Sequence, residues 1–348
     1  MYEIMKKFEF TGETKTINLL FGTATLHRIR AVAKFGFVEI GELGGWIEKE
    51  ENLSHEENAW VYGDAKVYGN AKVYGNAEVR DKAEVCGNAI VYGNAKVGED
   101  AEVYDNAEVC GNAEVCGNAQ IYDNAEVYDN AEVYGNAQIY GNAKVRADAK
   151  VYGKAGVCGK AEVRGKAEIR DDANVYGNAN VYGNAKIYGN AKVYDNAKVW
   201  DDAKVYDNAE VCGNAKVWED AKVYVNAKVY SNAEVYSNAK VYGNAKVYGN
   251  AEVCGKAEVC GKAEVFSTRH VLVIGTIGSQ DDFATFYRDK DNEITVKCGY
   301  FLDKIDKFLE KVTETHGDSN YALVCRAAVE AARLQIDLSN EVTKDADE

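Results

Sequence analysis

Residues 179–208 read ANVYGNAKIYGNAKVYDNAKVWDDAKVYDN, and this stretch contains the pattern that decides the fold. Its six-residue unit, close to Ala-Lys-Val-Tyr-Gly-Asn, repeats from Ala59 to Thr268. Ala begins all 35 units, Val or Ile follows two residues later, and no insertion interrupts the register. A period this regular predicts a solenoid in which each unit is one structural step.

The chemistry of the unit indicates a short strand followed by a corner. Ala and Val are two residues apart, so in a strand they point to one side, while Lys/Glu and Tyr point to the other. Six residues would advance a helix by about 600°, so the Val side chains would form no apolar stripe. The Gly/Asp-Asn pair tolerates positive φ and predicts a corner after each strand. We therefore expect stacked turns whose strands pair with those of the next turn.

The pattern resembles the hexapeptide repeat of left-handed parallel β-helices, in which an aliphatic residue, a small residue and turn residues recur every six positions. Three units make one triangular turn in that family, so the resemblance implies about 12 turns for the 35 units. Tyr after the aliphatic residue departs from the family, where small or acidic residues are usual. The handedness is implied by the resemblance alone.

The residues that lead into the repeats also resemble a known group of proteins. They read Gly44-Gly45-Trp46-Ile47, then Leu53-Ser54, then Asn58-Ala59-Trp60-Val61-Tyr62. Hexapeptide-repeat proteins of many bacterial and prophage genomes begin in this way, and some of them are labelled transferases by analogy of fold. The resemblance implies a bacterial or prophage protein and leaves its function open.

The predicted fold class is mostly β, a parallel β-helix between two non-repetitive segments. Residues 1–58 predict an N-terminal β cap, 59–268 the β-helix, 269–338 a C-terminal α+β module and 339–348 an acidic tail. The module is predicted to have three strands followed by two helices, Phe301–His316 and about Tyr321–Leu338. The cap is predicted to have short strands at 8–10, 31–33 and 35–40 and a turn at 41–46.

The composition excludes several classes of protein. The chain has 348 residues, a net charge of −15 and no Pro, against roughly 17 Pro at about 5% usage. Pro cannot donate a backbone hydrogen bond, so its absence agrees with uninterrupted ladders. The acidic balance argues against general binding of nucleic acid or anionic membranes. No apolar run approaches the ~18 residues of a membrane span.

The resemblance raises the question of acyl transfer, because many left-handed β-helix proteins are acyltransferases that use a His as general base. All four His lie outside the repeats, and no loop leaves the repeats to shape a cleft. Only His55 and His270, near the two ends of the repeats, could line the β-helix. We expect no catalysis and no cofactor, and acyl transfer by His55 or His270 is the alternative.

Seven Cys occupy the Tyr position of the repeat, and no two of them are separated by three repeats, the length of one expected turn. Neighbouring turns would therefore not place two thiols together, and free thiols fit a reducing cytoplasm. Cys298, Cys325 and His316 could meet in the C-terminal module. They lack a Cys-x-x-Cys spacing, so we expect no metal site.

Charge is unevenly placed along the repeats. Ten acidic residues and no Lys or Arg lie between 97 and 142, and residues 144–170 then hold eight basic and three acidic residues. The acidic ones are Glu99, Asp100, Glu102, Asp105, Glu108, Glu114, Asp123, Glu126, Asp129 and Glu132. These zones predict a docking surface for a basic partner or a second copy. The alternatives are drift during repeat duplication and an acidic decoy that mimics DNA.

Aromatic side chains fill 12 of the 13 outward positions from Tyr176 to Tyr248. In turns of three repeats they form two rows: Tyr182, Trp200, Trp218 and Tyr236, and Tyr188, Tyr206, Tyr224 and Tyr242. Stacked rings contribute ~0.5–1.5 kcal/mol per pair, so stacking on one another is one explanation. Binding of a partner face, a glycan or a nucleobase is the other.

Taken together, the sequence predicts a non-catalytic structural or interaction protein of the cytoplasm. A regular surface without a cleft suits a protein partner or self-assembly better than turnover. The resemblance implies a homo-oligomer such as a trimer. Acyltransferase and acidic decoy of a nucleic-acid-binding or defence protein remain the alternatives.

Overall fold

The computed structural model describes residues 6–19 and 22–339, so the predicted acidic tail lies outside the described residues except for Ser339. The chain divides into two compact units, unit 1 (Met1–Gly177) and unit 2 (Asn178–Glu348). Both are mostly β, and both contain turns of a parallel β-solenoid. The 35 short strands of the repeats make about 12 turns, so the predicted solenoid architecture is confirmed.

Unit 1 begins with three strands that precede the repeats. β1 (Phe8–Leu19) and β2 (Gly22–Ala31) form an antiparallel hairpin. β2 pairs antiparallel with β3 (Leu43–Ile47), and β3 pairs in parallel with Lys66–Val67 of the repeats. A short 3-10 helix at Glu50–Asn52 leads on to the first repeat. The N-terminal segment therefore extends one sheet of the solenoid.

These strands correct the sequence-based prediction for the cap. The structure has a long hairpin in place of short strands, and it places β3 in the predicted turn at 41–46. Residues 35–40, predicted as a strand, contain only a single bridge between Phe35 and Val38. The prediction follows apolar residues, whereas β1 is mostly exposed and rich in Thr and Glu. Such a strand pairs through its backbone without burying a face, so it leaves no apolar pattern.

The repeats of unit 1 form twenty strands of two residues, one at every sixth position from β4 (Trp60–Val61) to β23 (Asn174–Val175). Each pairs in parallel with the strand three repeats away, as Lys96 does with Glu114. Three strands therefore make one turn, and three sheets run along the unit. The Ala and the Val or Ile of each repeat are buried between these sheets.

The two corner positions of the repeat have different roles. The first has positive φ, as at Gly117 (73°) and Asp129 (60°). The Asn that follows does not, anywhere in the described repeats. Its side-chain amide donates to the Asn one turn later, as from Asn94 to Asn112 and from Asn112 to Asn130, both at 2.9 Å. The predicted corner is therefore present, but only its first position has the left-handed conformation, and the Asn forms an amide ladder.

The repeats of unit 2 form fifteen strands of the same kind, from β24 (Asn180–Val181) to β38 (Glu264–Val265), and a 3-10 helix at Thr268–His270 follows them. An antiparallel sheet and two helices follow. These elements are β39 (Val271–Ile277), β40 (Asp282–Arg288), β41 (Ile294–Cys298), β42 (Phe301–Lys304), α1 (Ile305–His316) and α2 (Asn320–Gln335).

The C-terminal module matches the prediction except for a fourth strand and for the end of the second helix, which lies at Gln335 and not at Leu338. The prediction begins the first helix at Phe301, because the apolar spacing of Ile305 and Phe308 extends back to it. In the structure a tight turn at Gly299, with φ of 52°, returns the chain so that Cys298 pairs with Phe301. The two helices cover the sheet through a shared core that includes Phe308.

Val225 has a strained backbone conformation at a first corner position of unit 2. Its φ is 63°, in the left-handed region that a β-branched residue disfavours by about 1–2 kcal/mol. Val225→Gly is therefore expected to raise the free energy of unfolding by about 1 kcal/mol, after the entropy of glycine in the unfolded chain is subtracted. Urea unfolding followed by circular dichroism measures the change. Val223→Gly, at a buried neighbour, should instead destabilise, and a Val225→Gly protein less stable than the parent would contradict the strain.

Candidate functional site

The ten acidic residues predicted as an interaction surface lie in unit 1 and circle the solenoid. Glu102, Glu108 and Glu114 are on strands of three different sheets. Glu126 and Glu132 lie one turn further along two of these sheets. We call the ten residues the acidic belt. Because the belt is spread over three sheets, it does not form one continuous acidic face.

Three aspartates of the acidic belt bind backbone groups. Asp105, Asp123 and Asp129 occupy first corner positions with positive φ. Each carboxylate accepts a hydrogen bond from the backbone N–H of the corner one turn later, at 3.4, 3.0 and 3.2 Å. These bonds satisfy backbone donors at the corners. The three side chains therefore have a structural role, whereas Glu99 and Asp100 form another corner of the belt.

The basic zone that follows pairs with the acidic belt. Lys144 lies 2.9 Å from Glu126 and Lys150 lies 2.8 Å from Glu132, and both pairs join residues opposite each other on neighbouring turns. Exposed ion pairs stabilise a protein little, but these two pairs match the negative charge of Glu126 and Glu132 where the acidic and basic zones meet. Part of the belt is thus matched by lysines of the same unit, which weakens the prediction of a docking surface there.

The two predicted aromatic rows are present in unit 2. Ring centroids are 4.4–5.6 Å apart along Tyr182, Trp200, Trp218 and Tyr236, and 4.8–4.9 Å apart along Tyr188, Tyr206, Tyr224 and Tyr242. Each inner ring has a neighbour on both faces, so a sugar or base cannot stack on it. Burial and the nearby Tyr224 and Tyr188 raise the pKa of Tyr206 to about 12, so its hydroxyl stays protonated. The geometry favours stacking of the rings on one another.

His55 lies in unit 1, just before the first repeat, and both of its ring nitrogens have partners. Nδ1 accepts from the backbone N–H of Lys7 at 3.2 Å, and Nε2 lies 2.7 Å from Oε1 of Glu50. The ring also stacks on Phe8 with centroids 4.3 Å apart. A general base needs a lone pair that faces its substrate, and in this arrangement the lone pair of Nδ1 faces the backbone.

His270 lies in unit 2, just after the last repeat, and it is buried. Its Nδ1 accepts from the backbone N–H of Phe266 at 3.2 Å. Burial, together with the nearby positive charge of Arg288, lowers the pKa of His270 to about 4. Both predicted catalytic candidates therefore bind a backbone amide of their own unit.

The pKa of His270 predicts a loss of stability in mild acid. Because its pKa is about 4 in the folded protein and about 6.5 in an unfolded chain, only the unfolded state takes up a proton between these values. Stability should fall as the pH decreases from ~6.5 to ~4, by on the order of 2–3 kcal/mol. Hydrogen exchange of the β39 and α2 amides measures this. His270→Gln keeps an acceptor but does not titrate, so an unchanged pH dependence in that variant would refute the assignment.

Cys298, Cys325 and His316 line one cavity of about 280 Å³ in the C-terminal module. Burial, followed by the nearby Asp282 and Cys325, raises the pKa of Cys298 to about 11. The thiol therefore stays protonated, and a protonated thiol is a poor metal ligand. Within residues 6–19 and 22–339, no group of three His, Cys, Asp or Glu is placed to hold a metal ion. All nine Cys are free.

Unit 2 also has a surface groove of about 550 Å³ that the sequence analysis missed. Four of the residues that line it are Lys186, Lys204, Lys222 and Lys240, which lie opposite one another on successive turns of one sheet. Asp202 and Asp220 line it from the adjacent corner. We call this surface the lysine groove.

A signal for the lysine groove is present in the sequence. Its four lysines recur at the three-repeat interval of one turn, and elsewhere in the repeats no more than two lysines follow one another at this spacing. In other rows a lysine faces a glutamate, as in Lys216–Glu234 at 2.8 Å and Lys246–Glu264 at 3.0 Å. The sequence analysis compares residues at this interval only at the Tyr position, and the lysines occupy a different position of the repeat.

Comparison of the chain with protein-family models and with curated proteins found no match. Among the helices in the described part of the chain, none is long and apolar enough to cross a membrane. The function is therefore inferred from the surfaces and residues described above.

Proposed function

We propose that this protein is a non-catalytic interaction protein whose side-chain ladders bind a protein partner or further copies of the chain. The observation that supports this is that outward side chains hold one another in place. The rings of Tyr206 and Tyr224 are 4.8 Å apart, and the Asn208 amide donates to Asn226 at 3.3 Å. Side chains that are already ordered lose little entropy when a partner binds.

The proposal includes a location, an assembly state and an origin. Free thiols in the outer row fit a reducing cytoplasm. The resemblance of the repeats supports a homo-oligomer such as a trimer, and that of the residues leading into them supports a phage or mobile-element origin. Acyl transfer is the competing function, and it would require His55 or His270 to leave its present hydrogen bonds.

Two experiments test the proposal: one measures the assembly state of the protein, and the other captures a protein partner. Light scattering of the full chain over a range of concentrations measures self-association. Immobilised protein in an extract of its source organism captures a partner, whose affinity is then measured with purified components. We expect either concentration-dependent assembly or saturable binding. A chain that remains monomeric and retains no partner would contradict the proposal. Turnover of an acyl thioester that is lost in His55→Gln or His270→Gln would also contradict it.

A further inference from the structure

The lysine groove places like charges next to each other. Lys204 lies between Lys186 and Lys222 in register, and neighbouring strands are only about 4.8 Å apart. Like charges directly opposite each other on a sheet repel. Within the described part of the chain, Lys204 and Lys222 form no ion pair. A bound anion would therefore reduce the repulsion between Lys204 and Lys222.

The lysines of the groove are also less exposed than comparable lysines of unit 2. Lys204 and Lys222 are half-buried, whereas Lys192 and Lys198, at the same position of the repeat on the other two sheets, are exposed. Charges that are partly withdrawn from water are screened less by salt. An anion in the groove would thus interact more strongly with Lys204 and Lys222 than with exposed lysines.

The C-terminal module closes one end of the groove. Lys240 lies 2.7 Å and Lys297 lies 3.6 Å from the carboxylate of Glu258, so these two lysines share one carboxylate. Beside them, Lys256 lies 4.5 Å from the centroid of the Phe283 ring. Among the residues that the structure describes, Lys204 and Lys222, in the middle of the groove, therefore have neither a carboxylate within ion-pair distance nor an aromatic ring as a partner.

The margin of the groove determines which anion fits. Asp202 and Asp220 line it beside the lysines, together with the side chains of Asn184 and Asn238. The two aspartates repel any anion, and phosphate polymers offer only acceptors, so they have no donor to offset this repulsion. A peptide has carboxylates for the lysines and backbone N–H donors for the oxygens of the margin. From Lys186 to Glu258 the groove spans about 19 Å, the length of about six extended residues.

From this geometry we propose that the lysine groove binds an extended acidic peptide segment of a partner protein, with Lys204 and Lys222 as its central contacts. This assignment rests on the proposed interaction function and names the site and the chemistry of the partner. Because the contacts are charged, binding weakens as ionic strength increases.

Fluorescence anisotropy of labelled octaglutamate with the full chain tests the assignment. Lys204→Gln/Lys222→Gln removes two charges from the groove, and Lys192→Gln/Lys198→Gln removes two exposed charges from unit 2 as the matched control. We expect the groove variant to bind at least about tenfold more weakly and the control to stay within about twofold of the parent. Octaglutamine should not bind. Circular dichroism verifies that both variants are folded.

Other outcomes overturn the assignment. Absence of octaglutamate binding, or an equal loss in both variants, would show that the groove is not a specific site. Oligothymidylate or polyphosphate that binds more tightly than octaglutamate, through the same two lysines, would assign the groove to phosphate polymers. Partner capture and light scattering are repeated with the groove variant. If they are unchanged, the groove assignment fails and the proposed interaction function stands.

Discussion

Val199→Asp is expected to lower the free energy of unfolding by at least about 4 kcal/mol, because it places a carboxyl group in the solenoid interior. Val199 is 0% exposed, and on the turns before and after it faces Val181 and Val217. The Ala and Val side chains that fill this interior offer no hydrogen bond to a carboxyl group. Urea unfolding followed by circular dichroism measures the loss.

The matched control for this substitution is Lys198→Asp. Lys198 is the preceding residue, but it is exposed, so the same new side chain should change stability by only about 0.5 kcal/mol. The effect of Val199→Asp should also depend on pH. Burial raises the pKa of the new carboxyl in the folded state, so the loss grows as the pH rises above the unfolded value of about 3.9. Equal losses at 198 and 199 would contradict the alternation of buried and exposed positions.

Lys198→Pro is expected to cost at least about 3 kcal/mol. The backbone N–H of Lys198 donates to the carbonyl of Ala215 one turn later at 2.9 Å. Proline removes this donor, leaves the carbonyl without its partner, and introduces a ring where strands lie on both sides. The thermal unfolding midpoint of the variant measures the effect.

Lys198→Ala provides the comparison for the proline variant, because it removes the same side chain and keeps the N–H. It should change stability only slightly, since Lys198 is exposed. A proline variant as stable as the alanine variant would show that single ladder bonds are dispensable. The expected result accounts for the absence of Pro from the repeats, where backbone N–H groups at strands and corners alike donate to the next turn.

The repeat itself is sufficient to predict the buried side of the solenoid. Ala203 and Val205 are two residues apart, so they point to one side of any strand, and both are 0% exposed. The row of Tyr206 and Tyr224 requires more information, because the period of six does not state how many strands make a turn. The resemblance to hexapeptide repeats supplied the turn of three repeats, and the stacked rings agree with it.

The features that the sequence analysis missed depend on contacts that the repeat does not encode. Strand β1 is held by backbone pairing with β2, and its exposed side chains give no apolar signal. The Asn ladder requires the position of the next turn, not the conformation of one corner. The lysine groove needs both the stacking of Lys204 on Lys222 and the position of Phe283, which is distant in sequence.

Because every turn of unit 2 has three repeats, the number of repeats between two outward residues determines whether they lie on the same sheet. Lys204 and Lys222 are separated by three repeats, which is one full turn. Deleting a whole turn elsewhere in the repeats of unit 2 would leave each remaining outward residue on its original sheet. Deleting one repeat between these two lysines would shift Lys222 by a third of a turn, onto a neighbouring sheet. The repeats of unit 2 can therefore be shortened or lengthened by three repeats at a time while their rows of stacked side chains are kept. A change by one or two repeats moves the residues that follow it onto other sheets and breaks the rows.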